Sequence, residues 1–306
     1  MTDSPYLPDT RVRYAWDSTT LGYLKRCPRL YQYLTEGWIS REESIHLRFG
    51  IEYHHSRQAY DISRAYGIHH DDAVFDVVRD LLIRTAGWDP DHKDKTRFTL
   101  LRTVIWGLDK GREDPAQTVL REDGSPMVEL SFRFELDWGP ATGDPVFYVL
   151  CGHIDKVVEL AGERYVDDYK TTSYKPTQWY FDKYEPDNQM TLYSIAGKVV
   201  LGAPVRGVVI DAAQVKEEYT EFGRGITMRT EDQQQEWIQD LHYWFALAEQ
   251  FAIQEYWPMN DTACDKFGGC QFRGICSKSP SVRQQFLEGN FIQLPEEERW
   301  NPLKIR

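Results

Sequence analysis

The 306-residue sequence predicts an α/β fold in which helices flank a central mixed β-sheet. Three observations predict it. Residues 131–138 (SFRFELDW) alternate apolar and polar with the two-residue period of a strand, and 145–160 (PVFYVLCGHIDKVVEL) form a longer run rich in β-branched residues. A Gly-containing turn, Ala161-Gly162-Glu163, then leads into RYVDDYKT, which reads as the second arm of a hairpin. Beyond it the pattern becomes helical over 187–204 (DNQMTLYSIAGKVVLGAP), stops at Gly202-Ala203-Pro204, and returns to strand in VRGVVIDAA. The order is β-β-β-α-β.

The other expected elements are helices at 53–87, at 100–107 and after Thr230, where Thr230-Glu231-Asp232-Gln233 has the form of a capping box. At 41% hydrophobic and 14% aromatic content the chain can bury a sizeable core. No apolar run approaches the ~20 residues of a bilayer span, and the N-terminus has neither a basic nor an apolar leader region, so the expectation is a cytoplasmic protein without a membrane partner. A net charge of −12 argues against a surface that wraps nucleic acid globally but leaves room for a local groove or for bound metal ions.

The stretch VDDYKTT places two aspartates, a tyrosine and a lysine at the end of an apolar run. Asp155 in the first hairpin arm and Asp168 in the second would meet at one edge of the sheet, where two carboxylates are best tolerated with a divalent cation between them; hard oxygen ligands suit Mg²⁺ or Mn²⁺. Lys170, two residues past Asp168, shares its face, while Asp167 and Tyr169 point the other way. An isolated Asp-x-Lys is most often a surface ion pair, so the neighbouring residues carry the argument.

Those neighbours form an ordered series: Gly152-His153-Ile154-Asp155, then Asp168-Tyr169-Lys170, then Gln189 and Tyr193 four residues apart on the next helix. The series resembles the RecB-like branch of the PD-(D/E)XK nuclease superfamily, which includes CRISPR-adaptation exonucleases and AddB-type recombination nucleases. The resemblance implies a restriction-endonuclease-like core with a helical insertion and a C-terminal cysteine lobe. It implies catalytic roles for Asp155, Asp168, Lys170, Gln189 and Tyr193. It also implies a metal held by His54, Asp155, Asp168 and the main-chain carbonyl of Tyr169. His54 matches the branch's upstream Gly-x-x-x-His through Gly50; His55 stands beside it, and the pair His69-His70 needs no role. Within one domain over 1–306 the expected parts are 19–56 (N-terminal cysteine and His motif), 57–130 (mainly helical insertion), 131–215 (catalytic core) and 216–306 (long helix and cysteine lobe).

Five cysteines fit poorly with a disulfide framework. Cys264, Cys270 and Cys276 cluster with five residues between neighbours, Cys27 stands in LKRCPRLYQY, and Cys151 on a strand reads as core. Four thiolates suit a 4Fe–4S cluster or a structural zinc, and spacing leaves both open. Members of the branch that carry an iron–sulfur cluster take one ligand from the N-terminal side and three from the C-terminal end, so the resemblance implies a 4Fe–4S cluster on Cys27, Cys264, Cys270 and Cys276. Both gaps of this trio are five residues, whereas the family's first two cysteines often stand closer. Gly268-Gly269 and Gly274 supply the tight backbone such a loop needs.

The expected activity is metal-dependent exonuclease action on single-stranded DNA or DNA with free ends, 5′ to 3′ on the resemblance alone, in replication, recombination, repair or CRISPR-type adaptation. No helicase motif is present, so a helicase or recombination partner would be a separate chain. Trp106, Trp179 and Tyr180 are candidates for stacking on bases. The alternatives are a catalytically silent DNA-binding or assembly subunit, against which the intact Asp155, Asp168 and Lys170 argue, and a zinc-stapled phosphoesterase.

Overall fold

A computed structural model describes residues 4–265 and 269–304. In chain order its elements are β1 (Ala15–Trp16), α1 (Ser18–Arg26), α2 (Pro28–Thr35), β2 (Trp38–Ser40), α3 (Ile45–Ala65), α4 (His70–Arg84), α5 (Arg97–Lys110), β3 (Gln117–Thr118), β4 (Val128–Glu135), β5 (Val149–Leu160), β6 (Glu163–Thr172), α6 (Gln178–Asp182), α7 (Asn188–Leu201), β7 (Gly207–Val215), β8 (Thr220–Thr227), α8 (Glu231–Ile253), α9 (Arg273–Cys276), α10 (Arg283–Asn290) and β9 (Phe291–Gln293). Among the described residues seven strands form a mixed sheet of order β1-β5-β6-β7-β8, with β3 and β4 also on β5, flanked by helices; β2 and β9 form a separate antiparallel pair. The α/β architecture is therefore the one the strand pattern predicts. No helix among the described residues is long and apolar enough to cross a membrane.

The chain divides into two compact units, one of Met1–Glu42, Arg133–Gly152 and Glu231–Ile305, the other of Glu43–Phe132 and His153–Thr230. In the first, a core of Leu30, Tyr33, Trp38, Phe272, Ile275, Leu287 and Phe291 gathers around Cys27. Cys151 is core as expected, fully buried with its thiol against the Trp16 carbonyl. The second unit contains the β5–β6 hairpin. Its turn places Ala161 and Gly162 at φ 54° and 80°, the two left-handed positions of the tight turn whose twist matches antiparallel strands. The register runs from Leu160 opposite Glu163 to Lys156 opposite Asp167, and strand alternation puts the next residue on each strand, Asp155 and Asp168, on the other face from that pair.

β6 also pairs in parallel with β7 (Asp168 beside Ile210), so it is central and its residues from Val166 to Tyr169 are buried on both faces. On the Val166 face lies α7, N-capped by the Asp187 side chain on the Met190 amide and ended by left-handed Gly202 (φ 60°). Gly197 permits this packing: a Cβ there would lie 2.7 Å from Val166 Cγ2. On the Tyr169 face, Tyr169, Ala213 and Val215 join a core with Phe49, Tyr53 and Tyr60 of α3, Val77 and Leu81 of α4, and Leu100, Val104 and Leu108 of α5. Burying each such large side chain is worth about 1.5–3 kcal/mol.

Two sequence expectations change. The helical stretch expected over 53–87 is two helices: α3 begins earlier, at Ile45 with Ser44 as its cap, and ends at Ala65, where Gly67 at φ 80° breaks the chain before α4. The strand β8 was not expected, because TEFGRGIT holds two glycines and little apolar alternation. Its glycines admit other groups: Cβ atoms on Gly223 and Gly225 would lie 2.8 Å from Pro176 and 2.4 Å from Phe181.

Candidate active site

Strand alternation sorts VDDYKTT onto two faces, and each face has its own chemistry. On the first, Lys170 Nζ stands 2.5 Å from Asp168 Oδ2. Asp155 reaches across from β5, where its Oδ2 accepts the Tyr169 amide at 2.9 Å, and His54 on α3 brings Nδ1 to 3.2 Å from the same oxygen. On α7, Gln189 Nε2 donates to the Tyr193 hydroxyl at 3.0 Å. The structure thus pairs His54 with Asp155 and Lys170 with Asp168, and both carboxylates act on Tyr193.

The charges adjust to one another. Burial pushes Asp168 up to about 6, Lys170 opposes that shift, and the nearby Asp155 adds to it. Burial would raise Asp155 too, but His54 and then Lys170 outweigh it and hold its carboxyl below the usual range. For His54 burial disfavours the cation, yet the Asp155 carboxylate more than compensates and raises its pKa. Lys170 follows the same logic: burial lowers it, Asp168 and Asp155 outweigh burial, and the ammonium persists.

On the second face the charges are locked. The Tyr169 hydroxyl donates to Asp61 Oδ2 at 2.8 Å and accepts from Arg57 Nη2 at 2.9 Å. The Arg57 and Lys156 cations stand 4.5 and 4.9 Å from the Tyr169 ring centroid. Lys156 Nζ lies 3.3 Å from Asp61 and 3.4 Å from Asp167, whose carboxyl is pushed well up by burial first and then by Asp211. His54, Arg57 and Asp61 lie at i, i+3 and i+7 of α3, so one helix stripe serves both faces. A cavity of about 420 Å³ on this face is lined by Arg57, Tyr169, Asp211, Phe222 and Arg224. Arg224 there is matched by Asp211 and Asp114, so the cavity is a self-neutralised space on the side away from Asp168 and Lys170.

The donor set on the first face fits a hard divalent cation: two carboxylates, an imidazole and a strand carbonyl, with Asp168 Oδ2 buried and accepting no well-aligned hydrogen bond. Among the described residues no three His, Cys, Asp or Glu side chains already converge as a metal site, and Asp168 is instead turned to Lys170. His55 is exposed, and the paired His70 bonds Tyr60 at 2.9 Å.

The four thiols of the sequence series lie in the first unit, all unbridged. Cys27 is the residue before α2, followed by Pro28 at the first helical position, and its sulfur accepts the Asn260 amide at 3.4 Å. The Cys270 amide donates to the Cys264 carbonyl at 2.8 Å, with Gly269 left-handed at φ 104°; Gly268 lies outside the described residues. Burial pushes the Cys264 and Cys276 thiols up, and Cys270 and Cys27 add to the push on each, although no three of the four converge as a metal group among the described residues.

Several residues around the site were not expected from sequence: Arg57, Asp61 and Lys156, Tyr184, and Glu129, a strand residue at φ 50° whose charge reaches Tyr193. The Tyr169 partners Arg57 and Asp61, and Asp61 as partner of Lys156, lie far away in sequence, whereas Tyr184 meets Tyr180 four residues away and Glu129 has a left-handed backbone. One expectation is corrected. Tyr180 cannot stack on bases, because it is 2% exposed and bonded to the Tyr184 hydroxyl at 3.2 Å.

A family model described as the PD-(D/E)XK nuclease superfamily matches residues 18–277, a span that contains every candidate residue named above. No curated protein matches the chain.

Proposed function

The chain belongs to the PD-(D/E)XK nuclease superfamily, and from that premise we propose that it is a metal-dependent deoxyribonuclease of the RecB-like branch, an exonuclease on single-stranded DNA running 5′ to 3′. Members of this superfamily generally use Mg²⁺ or Mn²⁺. The observation that carries the reading is that two ion pairs, His54–Asp155 and Lys170–Asp168, stand on neighbouring strands of the hairpin, with Asp155 also accepting the Tyr169 amide.

Asp155, Asp168, His54 and the Tyr169 carbonyl would hold the cation, whose chemistry when bound is to polarise the phosphate and neutralise its developing charge. Lys170, kept protonated by two carboxylates, orients a water toward phosphorus and donates to an oxygen that gains charge. Gln189 fixes the Tyr193 hydroxyl, which can donate to a phosphate oxygen beside Asp168. The locked face behind β6 keeps Tyr169, and with it Asp168 and Lys170, in place.

For the thiols we propose a 4Fe–4S cluster on Cys27, Cys264, Cys270 and Cys276 with a structural role. All four thiols lie unbridged in one unit, Cys27 at a helix start and Cys264 and Cys270 joined by a backbone hydrogen bond across a left-handed glycine, which supports soft-metal ligation. The resemblance favours iron over zinc. Residues 1–306 are proposed to work as one nuclease domain.

A digest of 5′- and 3′-labelled oligonucleotides beside a covalently closed single-stranded circle tests the activity. The expected result is metal-dependent shortening from the 5′ end with the circle intact. Rapid cutting of the circle would show an endonuclease, shortening only from the 3′ end would reverse the polarity, and no cutting would leave the silent-subunit reading standing.

A further inference from the structure

We propose that Trp179 and Tyr174 form a rigid platform on which a base of the single-stranded substrate stacks beside the catalytic edge. The proposal rests on the nuclease reading and names a positioning device of the same site. Residues 173–187 connect β6, which carries Lys170, to α7, which carries Gln189 and Tyr193, so both ends of the segment lie at the site.

The segment has two sides. Tyr180, Phe181 and Tyr184 face inward and are buried, while Trp179 and Tyr174 face out, 73% and 61% exposed, with ring centroids 6.4 Å apart at 64°. Two large aromatic rings left in water against each other, one short helix turn from three rings that are buried, present π-faces to solvent. The segment is also braced. Pro176 and Phe181 sit on the bare backbone of Gly223 and Gly225, Gln214 Nε2 donates to the Ser173 carbonyl at 3.1 Å, and the Tyr174 amide donates to Thr172 Oγ1 at 3.0 Å. Trp106 differs: it is 47% exposed, and the Arg102 guanidinium already stands 5.6 Å from its ring centroid.

Stacking also suits the charge of this protein. At −12 overall the surface offers phosphates little general attraction, and Lys175 in this segment is matched by Glu221 at 3.5 Å. A neutral contact to the base supplies affinity without countercharge, and every base has a π-face, so the platform would be sequence-tolerant. A duplex keeps its bases stacked inside, so the platform selects single strands.

The test compares wild type, Trp179→Ala and Trp179→Phe on an ordinary single-stranded oligonucleotide and on one of equal length with abasic residues. Cleavage is followed in Mn²⁺, and binding by fluorescence anisotropy with Ca²⁺ in place of Mn²⁺. Trp179→Ala should raise KM and weaken binding for the ordinary strand by roughly tenfold, with a smaller change in kcat. It should leave the abasic strand unaffected, and Trp179→Phe should recover most of the loss. Equal effects on both strands, or none on either, overturn the platform. If wild type binds through Trp179 but cuts neither strand, the platform stands and the nuclease reading fails; if it cuts both and Trp179→Ala behaves as wild type, the reverse holds.

Discussion

The carboxylate site and the thiol site place their candidate ligands by different means. Asp155, Asp168 and Lys170 ride on adjacent strands of a sheet, and the opposite face of β6 is tied down by Arg57, Asp61 and Lys156 around Tyr169. That geometry is maintained by hydrogen bonds and burial that owe nothing to a metal. The thiols ride on a helix start and on turns: Cys27 before α2, Cys264 and Cys270 on either side of a left-handed glycine, Cys276 at the end of the four-residue α9. Little regular structure fixes their spacing. A hard-cation site that is pre-organised can lose its metal and keep its fold, whereas a site made of turns depends on its metal for its shape.

The sharpest way to break that contrast is to remove the catalytic groups. Asp155→Ala, Asp168→Ala and Lys170→Ala should each lower cleavage by about a thousandfold or more, and the triple variant should be no worse than the worst single one, because the three groups act as a unit. Thermal midpoint and iron content should stay within a few degrees and a few per cent, roughly the noise expected when the rear network is untouched. A variant that keeps near wild-type cleavage in Mn²⁺ removes that residue from the site, and one that loses iron or fold removes the claim that the site stands by itself.

The thiol side of the comparison predicts the opposite pattern. Cys27 is separated from the trio by more than two hundred residues of chain, so a shared cluster closes a long loop. Anaerobically purified protein should be brown with about four irons per chain, and Cys27→Ser should bleach it and lower the thermal midpoint by on the order of 10 °C. Removing Mn²⁺ with a chelator should move the midpoint by only a few degrees, as mass action at modest excess allows. Stoichiometric zinc in place of iron would keep the staple and change its metal. A Cys27→Ser protein as stable as wild type would end the contrast.

The same division explains what the sequence made legible. The hairpin, α7 and the faces of Asp168 and Lys170 follow from local periodicity and one turn, and Gln189 with Tyr193 follows from helical spacing. The rear network does not, because Tyr169 meets Asp61 across 108 residues and Lys156 meets Asp61 across 95, and no local pattern encodes such pairs. Strand β8 was hidden by glycines whose purpose is tertiary, to seat Pro176 and Phe181. Tyr180 and Trp179 are neighbours of equal aromatic character, and only the packing of α6 decides that one is buried and the other is not.

The smallest expected effect concerns His54, the one candidate ligand of the carboxylate site supplied by a helix. Both Asp168, at about 6, and His54, above its ordinary value, carry protons in mildly acid solution, and both must lose them to ligate a cation. The sign follows: protons compete with Mn²⁺, so affinity rises with pH through this range and levels off once both groups are deprotonated. Where both protons are displaced the rise should approach about a hundredfold per pH unit; where one is, about tenfold. His54→Ala should therefore reduce the slope of log Kd against pH from near two to near one. It should also move the remaining break upward, because the His54 cation helps to lower Asp168. His55→Ala, on the exposed side of α3, should leave the profile as it is. Calorimetric titration of Mn²⁺ between pH 5 and 8 reads both slopes without any turnover; an unchanged slope in His54→Ala, or a halved one in His55→Ala, takes His54 out of the ligand set.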